Sequence, residues 1–124
     1  MDDFFLDLDR VANLSEGQRQ NGKRYFVHRF FLYEDDDVLV MKDIYPKSET
    51  HLLMIPKAHF KDLPDITQRD PELLSYMMDK ITYVAEQEQL HNGYRTIFNT
   101  GAGGGQVIFH LHAHILAGND LPGF

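Results

Sequence analysis

Residues 99–116 read NTGAGGGQVIFHLHAHIL, a glycine-rich loop followed directly by three histidines that alternate with apolar residues. Read as a β-strand, the alternation predicts that His110, His112 and His114 lie on one face. Glycines allow the loop backbone to approach an oxyanion closely. Imidazole is the side chain that changes protonation nearest neutral pH. The stretch therefore indicates a phosphate that is held by the loop and attacked by a histidine.

The composition narrows the class of protein around this stretch. A chain of 124 residues predicts a single domain over 1–124. The formal charge of −7 argues against extended binding to nucleic acid, which normally needs a basic face. With no cysteine, thiolate catalysis and disulfides are excluded. No apolar run reaches the length of a membrane span and no signal peptide is evident, so we expect the cytosol, or else the nucleus.

The patterns along the chain predict an α+β fold with a mostly antiparallel five-stranded sheet. One long helix should pack across the sheet, because Asp70 is suited to an N-cap and Pro71 to the first helical position. The other predicted elements, in chain order, are a short N-terminal helix within 3–14, strands at 25–33, 38–41 and 50–55, a turn at 63–69, a helix end at 91–93, and strands at 94–98 and 107–116.

Three interpretations of the histidine row remain open at this point. Three imidazoles facing one way can bind zinc, although a spacing of about 6–7 Å between alternate strand residues strains compact coordination. The histidines can also be the polar face of a half-exposed strand. Covalent catalysis at phosphorus is the third interpretation, in which one imidazole attacks and another helps to protonate the leaving group. Asn99 and Gln106 would then place neutral donors at the two rims of the glycine loop.

The sequence resembles the histidine triad (HIT) family, and within it the Hint branch. The resemblance covers roughly residues 31–118. The motifs that carry it are Tyr33-Glu34-Asp35-Asp36, Asp43-Ile44-x-Pro46, Thr50-His51-x-Leu53-x-Ile55-Pro56-Lys57-x-His59, Gly93-Tyr94-Arg95-x-x-x-Asn99 and Gly104-Gly105-Gln106-x-x-x-His110-x-His112-x-His114-x-Leu116.

The resemblance implies a role for each site residue. His112 matches the nucleophile, His114 matches the residue that contacts the phosphate and the scissile region, and His110 and His51 match supporting positions. The implied nucleotide contacts are Asn99, Gly105 and Gln106 for the phosphate, Asp43 for the ribose hydroxyls, and Ile44 and Leu53 for the base. Val107 is a further nucleotide-binding position, next to the leaving group, where its backbone N–H is the donor. Val107 departs from the pattern, because Hint proteins usually carry a serine at this position.

The resemblance also implies an activity and an assembly. The expected reaction is cleavage of a P–N or P–O bond at the α-phosphate of a purine nucleoside monophosphate derivative, of AMP or GMP, through a nucleotidyl-His112 intermediate. The expected assembly is a homodimer, and neither a metal nor another cofactor is expected in the chemistry. Two alternatives are a dinucleoside polyphosphate hydrolase of the Fhit type and a nucleotide-binding scaffold protein with little catalytic activity.

Overall fold

A computed structural model describes residues 31–123 of the chain. The predicted N-terminal helix and residues 25–30 of the first predicted strand lie outside this range. In chain order the elements are β1 (Phe31–Glu34), β2 (Val38–Lys42), β3 (Thr50–Pro56), α1 (Leu63–Arg69), α2 (Pro71–Gln87), β4 (Arg95–Ile97), a short 3₁₀ turn (Ala102–Gly104) and β5 (Ala113–Ala117). None of the helices in this range has the length and apolar character that a membrane crossing requires.

The five strands form one antiparallel sheet in the order β1-β2-β3-β5-β4, which confirms the predicted α+β architecture. Strand β3 lies at its centre, and all of its residues from His51 onward are buried. Side chains alternate between the two faces of a strand. In the central strands Leu52, Met54 and Ala113 therefore face helix α2, whereas His51 and Leu53 face away from it.

Helix α2 covers one face of the sheet with an apolar stripe. Met77, Ile81 and Val84 pack into the main core together with the inward residues of the strands. Burial of each such side chain stabilises the fold by about 1.5–3 kcal/mol. The predicted start of this helix is also present, because the Asp70 side chain accepts a hydrogen bond from the Leu73 N–H. The helix therefore leaves the opposite face of the sheet for the histidines.

The predicted end of the long helix at residues 91–93 is wrong. Helix α2 ends at Gln87, and Gln89 takes the left-handed conformation with φ 60°. The N–H of Leu90 then donates to the Ala85 carbonyl at 2.9 Å, and that of Gln89 to the Glu86 carbonyl at 3.1 Å. These two bonds are the Schellman ending of a helix, which is usually made with glycine. A glutamine in this position gives no sequence signal.

The turn predicted at 63–69 is in fact helix α1. Asp62 caps it by accepting the Asp65 N–H at 3.0 Å, and Pro64 lies in its first turn. Only Ile66 of this helix is buried, so the segment has too little apolar periodicity to predict a helix.

The predicted strand 107–116 is also wrong over its first half, since β5 begins only at Ala113. Opposite this half, β3 ends at Pro56, which has no N–H with which to extend the ladder. Leu111 donates its N–H to the Phe60 carbonyl instead, at 2.7 Å. Of the three alternating histidines, only His114 therefore lies on a strand.

Candidate active site

Two histidines of the site are held by neighbouring strands. In the β3–β5 ladder Leu53 pairs with His114 and His51 pairs with Leu116, so the two histidines are diagonal neighbours on one face. Their rings meet with His51 Nε2 at 2.9 Å from His114 Nδ1. The Lys47 N–H donates to His51 Nδ1 at 3.0 Å, which leaves the proton of neutral His51 on Nε2. His51 is therefore the donor to His114, and neutral His114 carries its proton on Nε2.

Asp43 lies beside this histidine pair, directly after β2. Its Oδ2 is 3.4 Å from His51 Nε2, and its Oδ1 accepts the Tyr45 N–H at 2.9 Å. The Asp43 N–H donates to the His51 carbonyl, which fixes the start of the loop against β3. The carboxylate is partly exposed, so its oxygens can also accept hydrogen bonds from a ligand.

The other two histidines of the triad lie before β5 and are held by backbone carbonyls. His110 is buried, and its Nε2–H donates to the Pro56 carbonyl at 2.8 Å. His112 donates its Nδ1–H to the carbonyl of His110, also at 2.8 Å. A ring that donates from Nδ1 has its lone pair on Nε2 when it is neutral. The His112 and His114 ring centroids are 5.1 Å apart, so the ring that carries this lone pair packs beside His114.

Burial favours the neutral form of the His51, His112 and His114 imidazoles. Loss of solvent lowers the pKa of His112 below its usual 6.5, and burial likewise lowers the pKa of His51. For His114, burial and then the neighbouring His112 and His51 lower the pKa to about 4. At pH 7 the site therefore presents a neutral His112, which is the form that can act as a nucleophile.

The glycine loop is tied together by Gln106. This residue is buried: its Oε1 accepts the Gly101 N–H at 2.9 Å, and its Nε2 donates to the Lys61 and Ile108 carbonyls at 2.8 and 3.1 Å. Both amide hydrogens are therefore used within the protein. The prediction that Gln106 places a free side-chain donor at the loop rim is wrong.

The N–H groups of two further glycines are also used inside the loop. Those of Gly104 and Gly105 donate to the Gly101 and Ala102 carbonyls, each at 3.0 Å. Gly105 has φ 89°, a conformation that disfavours other residues. Within residues 31–123, the Asn99 side chain and the Val107 N–H make no hydrogen bond with the protein. These two groups, rather than the amides of Gly101, Gly104 and Gly105, are free to meet an anion.

A buried apolar cluster flanks the site on the face away from α2. Leu53 is buried there among Leu39 and Met41 of β2, and Ile44 and Ile108 pack at its edge. Both residues predicted to contact a base, Ile44 and Leu53, therefore belong to one apolar cluster. Val107 is different, because its side chain is 84% exposed and contributes nothing to this cluster.

Asp43, His51 and His114 could also hold a metal ion. One ligand atom from each residue lies within 4.8 Å of the others. A metal needs a bare nitrogen lone pair, whereas His51 Nε2 donates its hydrogen to His114 in this arrangement. An ion at this position would therefore replace the hydrogen bond between the two histidines.

Comparisons with known proteins agree on one family. The HIT domain model matches residues 27–121. Protein HitA of Neisseria gonorrhoeae is 45% identical over 85 residues, which are 68% of this chain and 79% of HitA. An uncharacterized HIT-like protein of Synechococcus elongatus is 41% identical over 90 residues, 73% of this chain and 79% of that protein. A maize protein named as a 14 kDa zinc-binding protein is 39% identical, covering 73% of this chain and 72% of its own length.

Solved structures lead to the same family. A histidine triad protein from Clostridium difficile superposes with a TM-score of 0.72 at 39% identity, over 76% of this chain and 83% of that one. A HIT family hydrolase from Legionella pneumophila superposes with a TM-score of 0.71 at 35% identity, over 80% of this chain and 92% of that one. A histidine triad nucleotide-binding protein from Candida albicans superposes with a TM-score of 0.67 at 28% identity, over 73% of this chain and 66% of that one.

Proposed function

The chain belongs to the HIT domain family, and we propose that it cleaves a P–N or P–O bond at the α-phosphate of a purine nucleoside monophosphate derivative through a nucleotide bound covalently to His112. One observation carries the proposal. The hydrogen bond from His112 Nδ1 to the His110 carbonyl leaves the lone pair on Nε2, beside His114. Similar proteins are described as a hydrolase and as nucleotide-binding, which supports both halves of the proposal.

In the first step His112 Nε2 attacks the α-phosphorus. A new N–P bond forms while the bond from phosphorus to the leaving nitrogen or oxygen breaks, and its electron pair departs with the leaving atom. His114 Nε2 donates a proton to that atom. Neutral His114 already carries a proton on Nε2, and a second proton on the ring makes that Nε2–H acidic enough to transfer. The negative charge of a bound phosphate favours that, because an adjacent anion raises the pKa of an imidazole above about 4.

In the second step water resolves the intermediate. The water oxygen bonds to phosphorus and gives its proton back to His114, while the N–P bond breaks and the electron pair returns to His112 Nε2. The nucleoside monophosphate leaves and both histidines regain their starting state. Throughout, the His110 carbonyl accepts from His112 Nδ1 and so stabilises the positive charge of the substituted ring.

The remaining site residues bind the nucleotide in our proposal. Asp43 accepts from the ribose hydroxyls, and Ile44 and Leu53 contact the base. Asn99 and the Val107 N–H donate to the phosphate oxygens. Gln106 and Gly105 act indirectly, because their amides hold the loop in the shape that presents these donors.

The alternatives differ in what they predict for a nucleotide. A scaffold protein would bind it tightly without releasing product, and the absence of a hydroxyl at Val107 favours this alternative. A hydrolase of the Fhit type would prefer diadenosine polyphosphate.

Three further properties stay predictions from the sequence: a homodimer, a single domain over 1–124, and a cytosolic or nuclear location. Light scattering with size-exclusion chromatography measures the first of these directly.

The test is turnover of adenosine 5′-phosphoramidate by the purified protein. We expect release of AMP from the wild type and a loss of about 10⁴-fold or more in kcat for His112→Asn. His91→Asn is the matched control, because His91 is an exposed histidine in the turn that follows helix α2. Turnover that survives in His112→Asn would contradict the proposal. Tight AMP binding without turnover of either the phosphoramidate or a diadenosine polyphosphate would favour the scaffold.

A further inference from the structure

Backbone carbonyls at the end of β3 and in the segment after it accept hydrogen bonds from residues 106–111, which precede the proposed nucleophile. The Pro56 carbonyl accepts from His110 Nε2 at 2.8 Å, and the Lys61 carbonyl accepts from Gln106 Nε2 at 2.8 Å. Between them, the Phe60 carbonyl accepts the Leu111 N–H at 2.7 Å. Three carbonyls over six residues thus fix the stretch 106–111, and the His110 carbonyl in turn orients His112.

Two residues of helix α1 make hydrogen bonds to the backbone of the same segment. Asp65 Oδ2 accepts the Lys61 N–H at 2.8 Å, and Arg69 Nη2 donates to the His59 carbonyl at 3.0 Å. The Arg69 guanidinium also lies over the Phe60 ring, 4.5 Å from its centroid. On one side of Phe60 the backbone is therefore bonded to Arg69, and on the other side to Asp65.

The acid and the base are themselves joined in a two-pronged contact. Arg69 Nε and Nη2 donate to the two Asp65 carboxylate oxygens at 2.7 and 3.1 Å. This planar geometry orients both groups, which a lysine could not reproduce. The hydrogen bond from Arg69 lowers the pKa of Asp65 to about 2, so the pair stays ionised over any practical pH range.

The exposure of this pair argues against a role in holding the whole fold. The Arg69 side chain is 55% exposed and that of Asp65 is 26% exposed. Ion pairs in such positions contribute little to global stability. Phe60 is buried in the main core and remains anchored there without them. Removal of the pair should therefore shift the backbone around Phe60 rather than unfold the protein.

We propose that Asp65 and Arg69 are positioning residues that set the attack geometry of His112 through the carbonyls of residues 59–61. The inference rests on the proposed function, since it concerns the same nucleophile. The ion pair is hydrogen-bonded to the backbone of His59 and Lys61. The carbonyls of Phe60 and Lys61 in turn accept from Leu111 and Gln106. These contacts fix the segment whose His110 carbonyl orients His112. A displacement of about 1 Å at such a distance from the reacting atoms can cost about 10²-fold in rate.

The experiment compares Arg69→Gln and Asp65→Asn with Gln68→Ala, an exposed neighbour on the same helix. With adenosine 5′-phosphoramidate, we expect kcat to fall by about 10- to 100-fold in the first two variants, with little change in KM or in thermal stability. The double variant should lose no more than the worse single variant, because the two residues act as a unit. Arg69→Lys should recover part of the loss, and Gln68→Ala should match the wild type.

A second readout needs no turnover. In nuclear magnetic resonance spectra, the Gln106 side-chain amide should exchange slowly with solvent in the wild type and the His112 imidazole should carry its proton on Nδ1. Both signals should change in Arg69→Gln. If kcat and these signals stay at wild-type values in Arg69→Gln and Asp65→Asn, the inference is wrong. If the signals change while the wild type releases no AMP, the positioning role stands and the proposed function fails.

Discussion

The two halves of the candidate active site are held by different kinds of structure. His51 and His114 lie on adjacent strands, where the ladder fixes their separation, and their contact is side chain to side chain. His110 and His112 lie in an irregular segment, where each ring is fixed by one backbone carbonyl. A ladder places side chains through many bonds at once, whereas a carbonyl contact depends on the loop that presents it. The strand half is therefore the rigid reference, and the loop half is where small changes alter reactivity.

Among changes that leave the nucleophile in place, truncation of the strand half gives the largest effect. His51→Ala removes the hydrogen bond donor that directs the His114 proton to Nε2, so His114 can no longer donate reliably to the leaving group. We expect kcat for the phosphoramidate to fall by about 10²-fold, the range of a lost acid–base partner. A loss as complete as that in His112→Asn would show that the halves are not separable in this way. His91→Ala serves as the control.

Addition of a hydroxyl to the loop half tests the same comparison in the opposite direction. Val107 is highly exposed and belongs to neither apolar cluster, so Val107→Ser should fold normally. The new hydroxyl adds a donor beside the reacting phosphate, and we expect kcat to rise by about tenfold or more. Val107→Ala, which shortens the side chain without adding a donor, is the matched control. An equal rise in both variants would assign the effect to space rather than to hydrogen bonding.

The pH dependence of stability reports on both halves together. Burial lowers the pKa of His114 to about 4 in the folded chain, against 6.5 when it is unfolded, so the unfolded state binds more protons between these values. Stability should therefore be full above pH 6.5 and decrease as pH falls toward 4. His51 and His112 add to the decrease, because burial lowers their pKa values too. Denaturant unfolding of His114→Asn at a series of pH values should give a shallower slope than the wild type, and an unchanged slope would argue against a buried neutral His114.

The smallest effect lies outside the site, at the end of helix α2. Gln89 has φ 60°, a left-handed conformation that costs an ordinary L-residue about 1–2 kcal/mol. Part of this is offset by the greater freedom of glycine in the unfolded chain, so Gln89→Gly should raise stability by about 0.5–1 kcal/mol. Chemical denaturation measures the change. The rate of turnover should stay at the wild-type value, since Gln89 touches neither half of the site.

The contrast between the two halves also explains how far the sequence could be interpreted. Strand β3 and helix α2 follow from alternating and three- or four-residue apolar spacing, which reports directly on burial. The same alternation places His51 and His114 on strands, whereas their contact depends on the pairing of β3 with β5, which the sequence pattern does not specify. The ends of the elements were less predictable, because β5 begins only at Ala113, opposite Met54, and α2 is closed by a glutamine in place of a glycine.

The loop half could be predicted only as a list of residues. Its geometry depends on carbonyls of residues 56–61 and 110, and a backbone acceptor has no residue type by which a sequence can reveal it. Gln106 illustrates the difficulty, since an amide next to glycines looks like a ligand contact and is in fact buried within the loop. Helix α1 did carry a signal in Asp62 and Pro64, but a seven-residue helix with one buried side chain gives too short a pattern to recognise.

Trapping of the reaction intermediate tests the central claim most directly. The protein is mixed with adenosine 5′-phosphoramidate, quenched within the first turnover, digested and analysed by mass spectrometry. We predict an adenylyl group on the peptide that contains His112, with fragmentation assigning it to that imidazole, and no such adduct in His112→Asn. Rapid AMP release with an adduct on another residue, or with no adduct at any quench time, would contradict the assignment of His112 as the nucleophile.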